Sequence, residues 1–341
     1  MKLITTISVA VAVSLLTLGC GNKNEYKLPD WPWEDPVPEE TTSDWTDVSA
    51  DYGTLPAYVK IFKSPSKLQE RNAVAFIADI DLSKKSFSVW GIKDVGTQGT
   101  KDALQTPSQV YAAKDNPVVV INGGYFFSQD GKNYAASLAV DNGELLSANI
   151  NYASKDWVSV YAPTRAVFLE HADGSFEVAW SYYKGASEHW VYQIPADNSY
   201  AKSPLQAPNA TFPAEGKAFE AVNGIGGGPV LLKGGEIKNT YIPEMFDEGG
   251  INPTSPNNPR TAIGITAGKH LVLFVCEGRN QTPDVPGFTT EELARILKDY
   301  GCTDAINLDG GGSTMMLVNG KELIKPSDGK QRSVGSCVYI K

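Results

Sequence analysis

The sequence predicts an α+β fold: a strand-rich, mixed-sheet domain with a few helices, whose glycine-rich loops at strand ends form the site. Three observations carry this. Short apolar runs bounded by Gly, Pro, Asn or Asp recur along the chain, as buried strands do. Only two stretches show helix start and stop chemistry. Glycine clusters at 122–124, 224–228 and 310–312 each adjoin an apolar run.

Taken in order, the chain opens with Lys2 and the apolar run Leu3–Leu18. That run is shorter than the ~20 residues of a membrane-spanning helix, so residues 1–20 read as an export signal. Its end, Leu16-Thr17-Leu18-Gly19-Cys20, resembles a bacterial lipobox. Cys20 is the expected lipidation site, and an acyl anchor the expected membrane contact. With no Asp after Cys20, the expected location is the outer membrane of the bacterial cell envelope, at its periplasmic or surface face. Residues 21–55, rich in Pro, acids and Trp31 and Trp33, read as a flexible tether. Residues 56–341 are the expected catalytic domain.

Within that domain, Ala73–Ile80 and Phe87–Trp90 read as strands, with 81–85 as the turn between them. Residues 105–114 read as a short helix, capped by Thr106 with Pro107 in its first turn. Pro117–Ile121 is a buried strand running into Asn122-Gly123-Gly124-Tyr125-Phe126. Leu138–Leu146 is a hairpin about Asn142-Gly143. Two or three strands fill 157–180 around the turn Asp173-Gly174, whereas 181–220 is too mixed to place. Asn223–Gly228 reads as a glycine-rich turn leading into the strand Pro229–Leu232. Tyr241–Pro259 is a long irregular loop, a length that often carries function. Strands Ala262–Ile265 and His270–Cys276 follow. Helix Thr290–Tyr300 has Thr289 as cap, Glu292 closing a capping box and Gly301 as stop; Leu293, Ile296 and Leu297 are its apolar face. Ile306–Leu308, Met315–Val318 and Ser333–Ile340 complete the strands.

Acidic residues outnumber basic ones, 39 to 30, for a net charge of −9. No Lys/Arg-rich block interrupts this balance, which argues against a nucleic-acid partner. Beyond Cys20, Cys276, Cys302 and Cys337 match no zinc spacing, and Cys276 and Cys337 read as buried small apolar residues. His171, His189 and His270 are isolated, so no transition metal or cofactor is expected. A hard cation such as calcium or magnesium at Asp309 stays open.

Candidate chemistry clusters at the ends of the apolar runs: Asn122, Arg260, Glu277, Asp309 and Arg332. Each has a plain structural alternative. Asn122 can bond turn backbone, Arg260 can be a surface charge, Glu277 can pair with Arg279, and Arg332 can be a solvated loop residue. Asp309 runs directly into Gly310, Gly311 and Gly312, followed by Ser313 and Thr314. Freed amides in such a turn can form an anion site. No Gly-Lys-Ser/Thr follows, which excludes a nucleotide phosphate loop.

Together these segments resemble the phosphodiester glycosidase family. The resemblance rests on Asn122 to Phe126, Gly226 to Pro229, Asn258 to Gly264, Glu277-Gly278-Arg279, Asn307 to Thr314, and Pro326-Ser327-Asp328-Gly329 followed by Arg332. It covers roughly residues 70 to 341. The family usually carries Asp-Gly-Arg where this chain has Glu277-Gly278-Arg279. The resemblance implies cleavage of a sugar-1-phosphodiester or phosphorylated glycan on the sugar side, releasing free sugar, such as N-acetylglucosamine, and a phosphomonoester. It implies Arg260 as a bidentate phosphate clamp, helped by the amides of Gly310 to Ser313 and the Ser313 and Thr314 hydroxyls. Asp309 is the implied catalytic carboxylate and Glu277 its partner; Asn122 and Gly123 would meet substrate, with Arg332 as second anion contact. Carboxylates about 5 Å apart would point to retention and about 6.5–9.5 Å to inversion. Two rivals stay open. One is a non-catalytic carbohydrate-binding surface lipoprotein using Tyr182, Tyr183, Trp190 and Tyr192. The other is a metal-dependent phosphodiesterase cutting on the far side of phosphorus.

Overall fold

The computed structural model describes residues 44–247 and 251–341. Cys20, the export signal and most of the tether fall outside these residues. The described part of the tether is built into the domain: Thr46–Asp47 pairs with Val59–Lys63, and Trp45 packs edge-on against Phe274 and Tyr300. The domain therefore starts before residue 56, because a tryptophan with an apolar platform in reach is more stable buried than in a spacer.

Three sheets make up the fold. In the eight-stranded sheet, Ala75–Asp81, His270–Cys276, Arg260–Thr266 and Cys302–Asn307 lie side by side. A seven-stranded sheet is centred on Asn223–Gly226, Arg165–Glu170 and Phe176–Gly185. The five-stranded sheet has Val119–Asn122 at its middle, between Met316–Val318 and Ser336–Ile340. Val119, Val120 and Ile121 are fully buried and share one core with Phe168, Trp180 and Ile225 of the seven-stranded sheet and Ile61, Ile263 and Leu273 of the eight-stranded one. Each such side chain contributes about 1.5–3 kcal/mol on burial.

Two helices are present among the described residues. Helix α1 (Pro107–Ala113) and helix α2 (Thr290–Tyr300) start at Thr106 and Thr289, each with a complete capping box, closed by Gln109 and Glu292. Gly301 ends α2 in the left-handed conformation. Leu293, Ile296 and Leu297 of α2 cover Ile77 and Phe274 on the outer face of the eight-stranded sheet.

The strand-rich, helix-poor expectation holds, with three corrections. Every pair of named strands is antiparallel, so the sheets are not mixed. Ala75–Asp81 and Ser88–Gly91 are in different sheets, so 81–85 is a crossing and not a hairpin turn. Asn223–Gly226 is a buried strand rather than a turn. Its glycines are there for closeness: a Cβ on Gly224 would meet Leu169 at 2.9 Å, and one on Gly226 would meet the Leu138 amide at 2.5 Å. The hairpin about Asn142-Gly143 and the turn at Asp173-Gly174 fall where expected.

These sheets bring three strand ends to one place. Ala262 lies opposite Asn307, and Arg260 opposite Cys276. The Leu308 amide donates to the Thr261 carbonyl at 2.8 Å, and the Asp309 amide to the Gly123 carbonyl at 3.1 Å. The chain thus leaves the eight-stranded sheet at Asn307 and is fixed against the end of the five-stranded one.

Candidate active site

A cavity of about 220 Å³ opens at this junction, lined by Tyr125, Ile251, Asn258, Arg260, Arg279, Asp309, Gly310, Gly311, Gly312 and Arg332. Asp309 sits half-buried at its floor. Loss of water pushes its pKa up to about 6, against the downward pull of the Ser313 hydroxyl, the Arg332 charge and the Gly310 amide. Its backbone is held by Asn122, whose Nδ2 donates to the Asp309 carbonyl at 2.7 Å.

The glycines explain how basic side chains reach this floor. Gly311 has φ +58°, and a Cβ there would meet Arg279 Nη2 at 2.7 Å. A Cβ on Gly312 would collide with the Asp328 carboxylate and the Arg332 guanidinium. Asp328 bridges the two arginines, at 2.5 Å from Arg332 Nη2 and 3.7 Å from Arg279 Nη1. Arg332 Nη1 also donates to Ser313 Oγ at 3.4 Å, and Arg279 leans on the Asn258 side chain. Both arginines remain more than 40% exposed at their side chains, so they present charge to anything entering the cavity.

Several expected site residues do other work. Arg260 lines the cavity but is 2% exposed. Its Nε donates to the Phe288 carbonyl, Nη1 to Ile251, and Nη2 to Asn252 and Ser255. Four of its five donors are thereby fixed on backbone, so it anchors the 241–259 loop and has no pair of parallel donors for a bidentate phosphate clamp. Asn122 is fully buried and lies outside the lining. It donates to the Asp309 and Gly123 carbonyls and accepts from Thr261 Oγ1 and the Met315 amide. With all its capacity used, it positions Asp309 and cannot meet a sugar hydroxyl. Gly123 is likewise buried, its amide on the Ser336 carbonyl and no room for a Cβ beside the Ser336 side chain.

Glu277 is 3% exposed and is not a lining residue; its Oε1 accepts the Lys325 amide at 3.0 Å, and Oε2 has no partner. It does not face Asp309 across the cavity as a partner carboxylate. In the glycine turn, the Gly311 and Ser313 amides are committed to the Pro259 and Gly310 carbonyls, so the turn is not an open row of amides. The Thr314 hydroxyl is buried without a partner. Cys276, Cys302 and Cys337 are buried free thiols, and burial pushes Cys276 up to about 12, which makes it inert as a nucleophile.

Of the aromatics offered for sugar stacking, Tyr182 and Tyr192 are buried in the fold. Tyr183 and Trp190 are half-buried and line a different cleft, with His189 and Phe219. Sequence reasoning missed Tyr125, Arg279 and Asp328 as site residues. All three sit inside segments it had singled out: Tyr125 and Arg279 two places, and Asp328 four places, from the residues it chose.

The phosphodiester glycosidase family model matches residues 115–341. That span contains every motif of the resemblance, although it starts later than residue 70. A stretch of 78 residues is 38% identical to human N-acetylglucosamine-1-phosphodiester alpha-N-acetylglucosaminidase, taking in 23% of this chain and 15% of that protein. An SPbeta prophage-derived uncharacterized protein of Bacillus subtilis (strain 168) is 36% identical over 83 residues, 24% of this chain and 13% of the relative. The chain thus aligns with only about a seventh of the length of these relatives. Among solved structures, the catalytic domain of zebrafish N-acetylglucosamine-1-phosphodiester alpha-N-acetylglucosaminidase shares the fold, with a TM-score of 0.54 at 23% identity over 88% of each chain.

Proposed function

The chain belongs to the phosphodiester glycosidase family, and we propose that it hydrolyses the sugar–oxygen bond of a sugar-1-phosphodiester, yielding free sugar and a phosphomonoester. N-acetylglucosamine is the first sugar to test, since it is in the name of the human and zebrafish proteins. The observation that carries this reading is one desolvated carboxylate, Asp309, on a cavity floor beneath the cation pair Arg279 and Arg332.

The roles follow from charge. The phosphate lies against Arg279 and Arg332, which stabilise the anion that departs. The anomeric carbon then sits over Asp309. As the C1–O bond breaks, its electron pair goes to the phosphate oxygen and positive charge gathers at the anomeric centre. The Asp309 carboxylate stabilises that centre, attacks it, or draws a proton from the incoming water. A phosphomonoester leaves readily, so a second carboxylate acting as strong general acid is not required. This suits a cavity in which Asp328 is neutralised between two arginines. Export and acylation at Cys20 complete the proposal and rest on the N-terminal sequence alone.

Product analysis tests the reading. The purified protein is incubated with an N-acetylglucosamine-1-phosphodiester in the presence of EDTA. Free N-acetylglucosamine from the wild type and none from Asp309→Asn is expected. Sugar-1-phosphate as product would overturn sugar-side cleavage, and full activity in Asp309→Asn would overturn the carboxylate's role.

A further inference from the structure

The rim of the cavity holds a carboxylate as well as two arginines. Asp328 Oδ2 accepts from Arg332 Nε at 3.1 Å and from Nη2 at 2.5 Å, and Oδ1 lies 3.7 Å from Arg279 Nη1. Gly312 makes the room for it. A Cβ there would collide with both the Asp328 carboxylate and the Arg332 guanidinium, and Gly312 itself lines the cavity. The carboxylate therefore stands at the cavity's edge, beside the cations that meet an entering phosphate.

The donors of this cluster divide into two sets. Nε and Nη2 of Arg332 are held on Asp328 at hydrogen-bond distance. The other contacts are long: Arg332 Nη1 to Ser313 Oγ at 3.4 Å, Arg279 Nε and Nη2 to Asn258 Oδ1 at 3.4 Å each, and Arg279 Nη1 to Asp328 at 3.7 Å. Contacts beyond about 3.2 Å are weak, so a phosphate takes this second set and leaves the Asp328–Arg332 pair in place. Phosphate and carboxylate then share one guanidinium fork, with their oxygens about 5 Å apart.

Charge decides what such a rim retains. Arg260, Arg279 and Arg332 line the cavity with Asp309. The donors of Arg260 are committed, but its charge remains. Asp309 is ionised at pH 7.5, above its pKa of about 6. With Asp328 added, three cations face two carboxylates, which leaves one net positive charge. A phosphodiester carries one negative charge and matches it. A phosphomonoester carries nearly two above its second ionisation near pH 6, and its extra charge meets the Asp328 carboxylate instead of a free cation.

We propose that Asp328 is a specificity-determining residue, whose carboxylate trims the arginine rim so that the cavity holds a phosphodiester and lets a phosphomonoester go. The inference deepens the glycosidase reading and rests on it for naming the diester as substrate and the monoester as product. The charge selection itself rests on the Arg279–Asp328–Arg332 geometry. One like charge at about 5 Å lowers affinity about tenfold or more, after screening by water and salt.

Calorimetry at pH 7.5 with two sugar-free probes tests this. Phenyl phosphate is a monoester, and methyl phenyl phosphate is its diester counterpart with no glycosidic bond to break. Wild type should favour the monoester by less than about threefold, and in Asp328→Asn the monoester-to-diester ratio should rise about tenfold or more. Asp328→Glu, which keeps the charge, should return the ratio to that of the wild type. A stronger monoester preference in the wild type overturns the proposal, as does binding of neither ester by Asp328→Asn. An Asp328→Asn ratio equal to the wild type's would make Asp328 a brace that serves both esters alike, and an Asp328→Glu ratio equal to that of Asp328→Asn would remove charge as the cause. Should Asp328→Asn not fold, Asp328→Ser carries the same comparison. Turnover supplies a second arm. On an N-acetylglucosamine-1-phosphodiester, the inhibition constant of the released phosphomonoester should fall about tenfold in Asp328→Asn while KM changes less; equal shifts in both contradict product discrimination. If no phosphodiester is cleaved at all, the glycosidase reading fails, and the calorimetric ratio still decides the role of Asp328.

Discussion

Arg260 and Arg332 line the same cavity, yet their guanidinium groups are held in different ways. Arg260 is enclosed, and its donors end on carbonyls from 251–255 and Phe288. Arg332 is exposed, and its donors end on one carboxylate and one hydroxyl. The first wall is scaffold, in which Arg260, Asn122 and Asn307 clamp loops to strand ends. The second is a rim, in which Arg279, Asp328 and Arg332 form a charged cluster able to exchange partners with an incoming anion. A cation becomes a binding group only if the fold leaves its donors negotiable.

That contrast can be broken most sharply at the floor between the walls. Asp309→Asn is expected to lower turnover by about a thousandfold or more, the scale of losing a catalytic side chain. The fold should remain. It should even gain stability at neutral pH: burial raises the native pKa to about 6 from the ordinary 3.8 of an aspartate, so the native state disfavours ionisation. Stability from this group is therefore full below about pH 4 and falls as pH rises to about 6, by up to about 3 kcal/mol. Denaturant melts of both proteins at pH 3.5 and 7.5 check this; an Asn variant less stable at pH 7.5 would contradict it.

The walls separate next. Arg260→Met should cost about 3–5 kcal/mol, because it orphans four carbonyls in a buried setting, and activity should be lost with the loop. Arg332→Met should leave the melting temperature nearly unchanged, as exposed ion pairs contribute about 0–1 kcal/mol. Its kcat/KM should fall by about 10–100-fold. Equal stability losses in the two variants would erase the distinction. Asn122→Ala is a finer probe, expected to cost about 1–3 kcal/mol through unsatisfied buried groups and to lower kcat more than it raises KM, since Asn122 positions Asp309 without touching substrate.

The smallest effect is a shift in pH dependence. If ionised Asp309 is the working form, kcat/KM should rise through an acid limb near pH 6. Removing the Arg332 charge removes a downward pull on Asp309, so the limb of Arg332→Met should move to higher pH. A limb that stays put would detach Arg332 from the carboxylate.

Parts of this were legible in the sequence. Helix α2 was readable at both ends because Thr289, Glu292 and Gly301 act within a few residues of one another. The Asn142-Gly143 hairpin and the Asp309-Gly310-Gly311-Gly312 floor were readable for the same reason. What could not be read was long-range. Whether Arg260 is clamp or scaffold depends on carbonyls supplied by 251–255 and Phe288. Gly224 and Gly226 looked like a turn because only the fold brings Leu169 and Leu138 against them. Asp328 and Arg279 meet across 49 positions of chain, with nothing local to announce it.

The central claim is that Asp309 and the arginine rim break the bond between sugar and oxygen rather than between oxygen and phosphorus. Hydrolysis of an N-acetylglucosamine-1-phosphodiester in ¹⁸O-labelled water reads this directly by mass spectrometry. Label in the free sugar, with an unlabelled phosphomonoester, is the expected result; label in the phosphate would contradict the account.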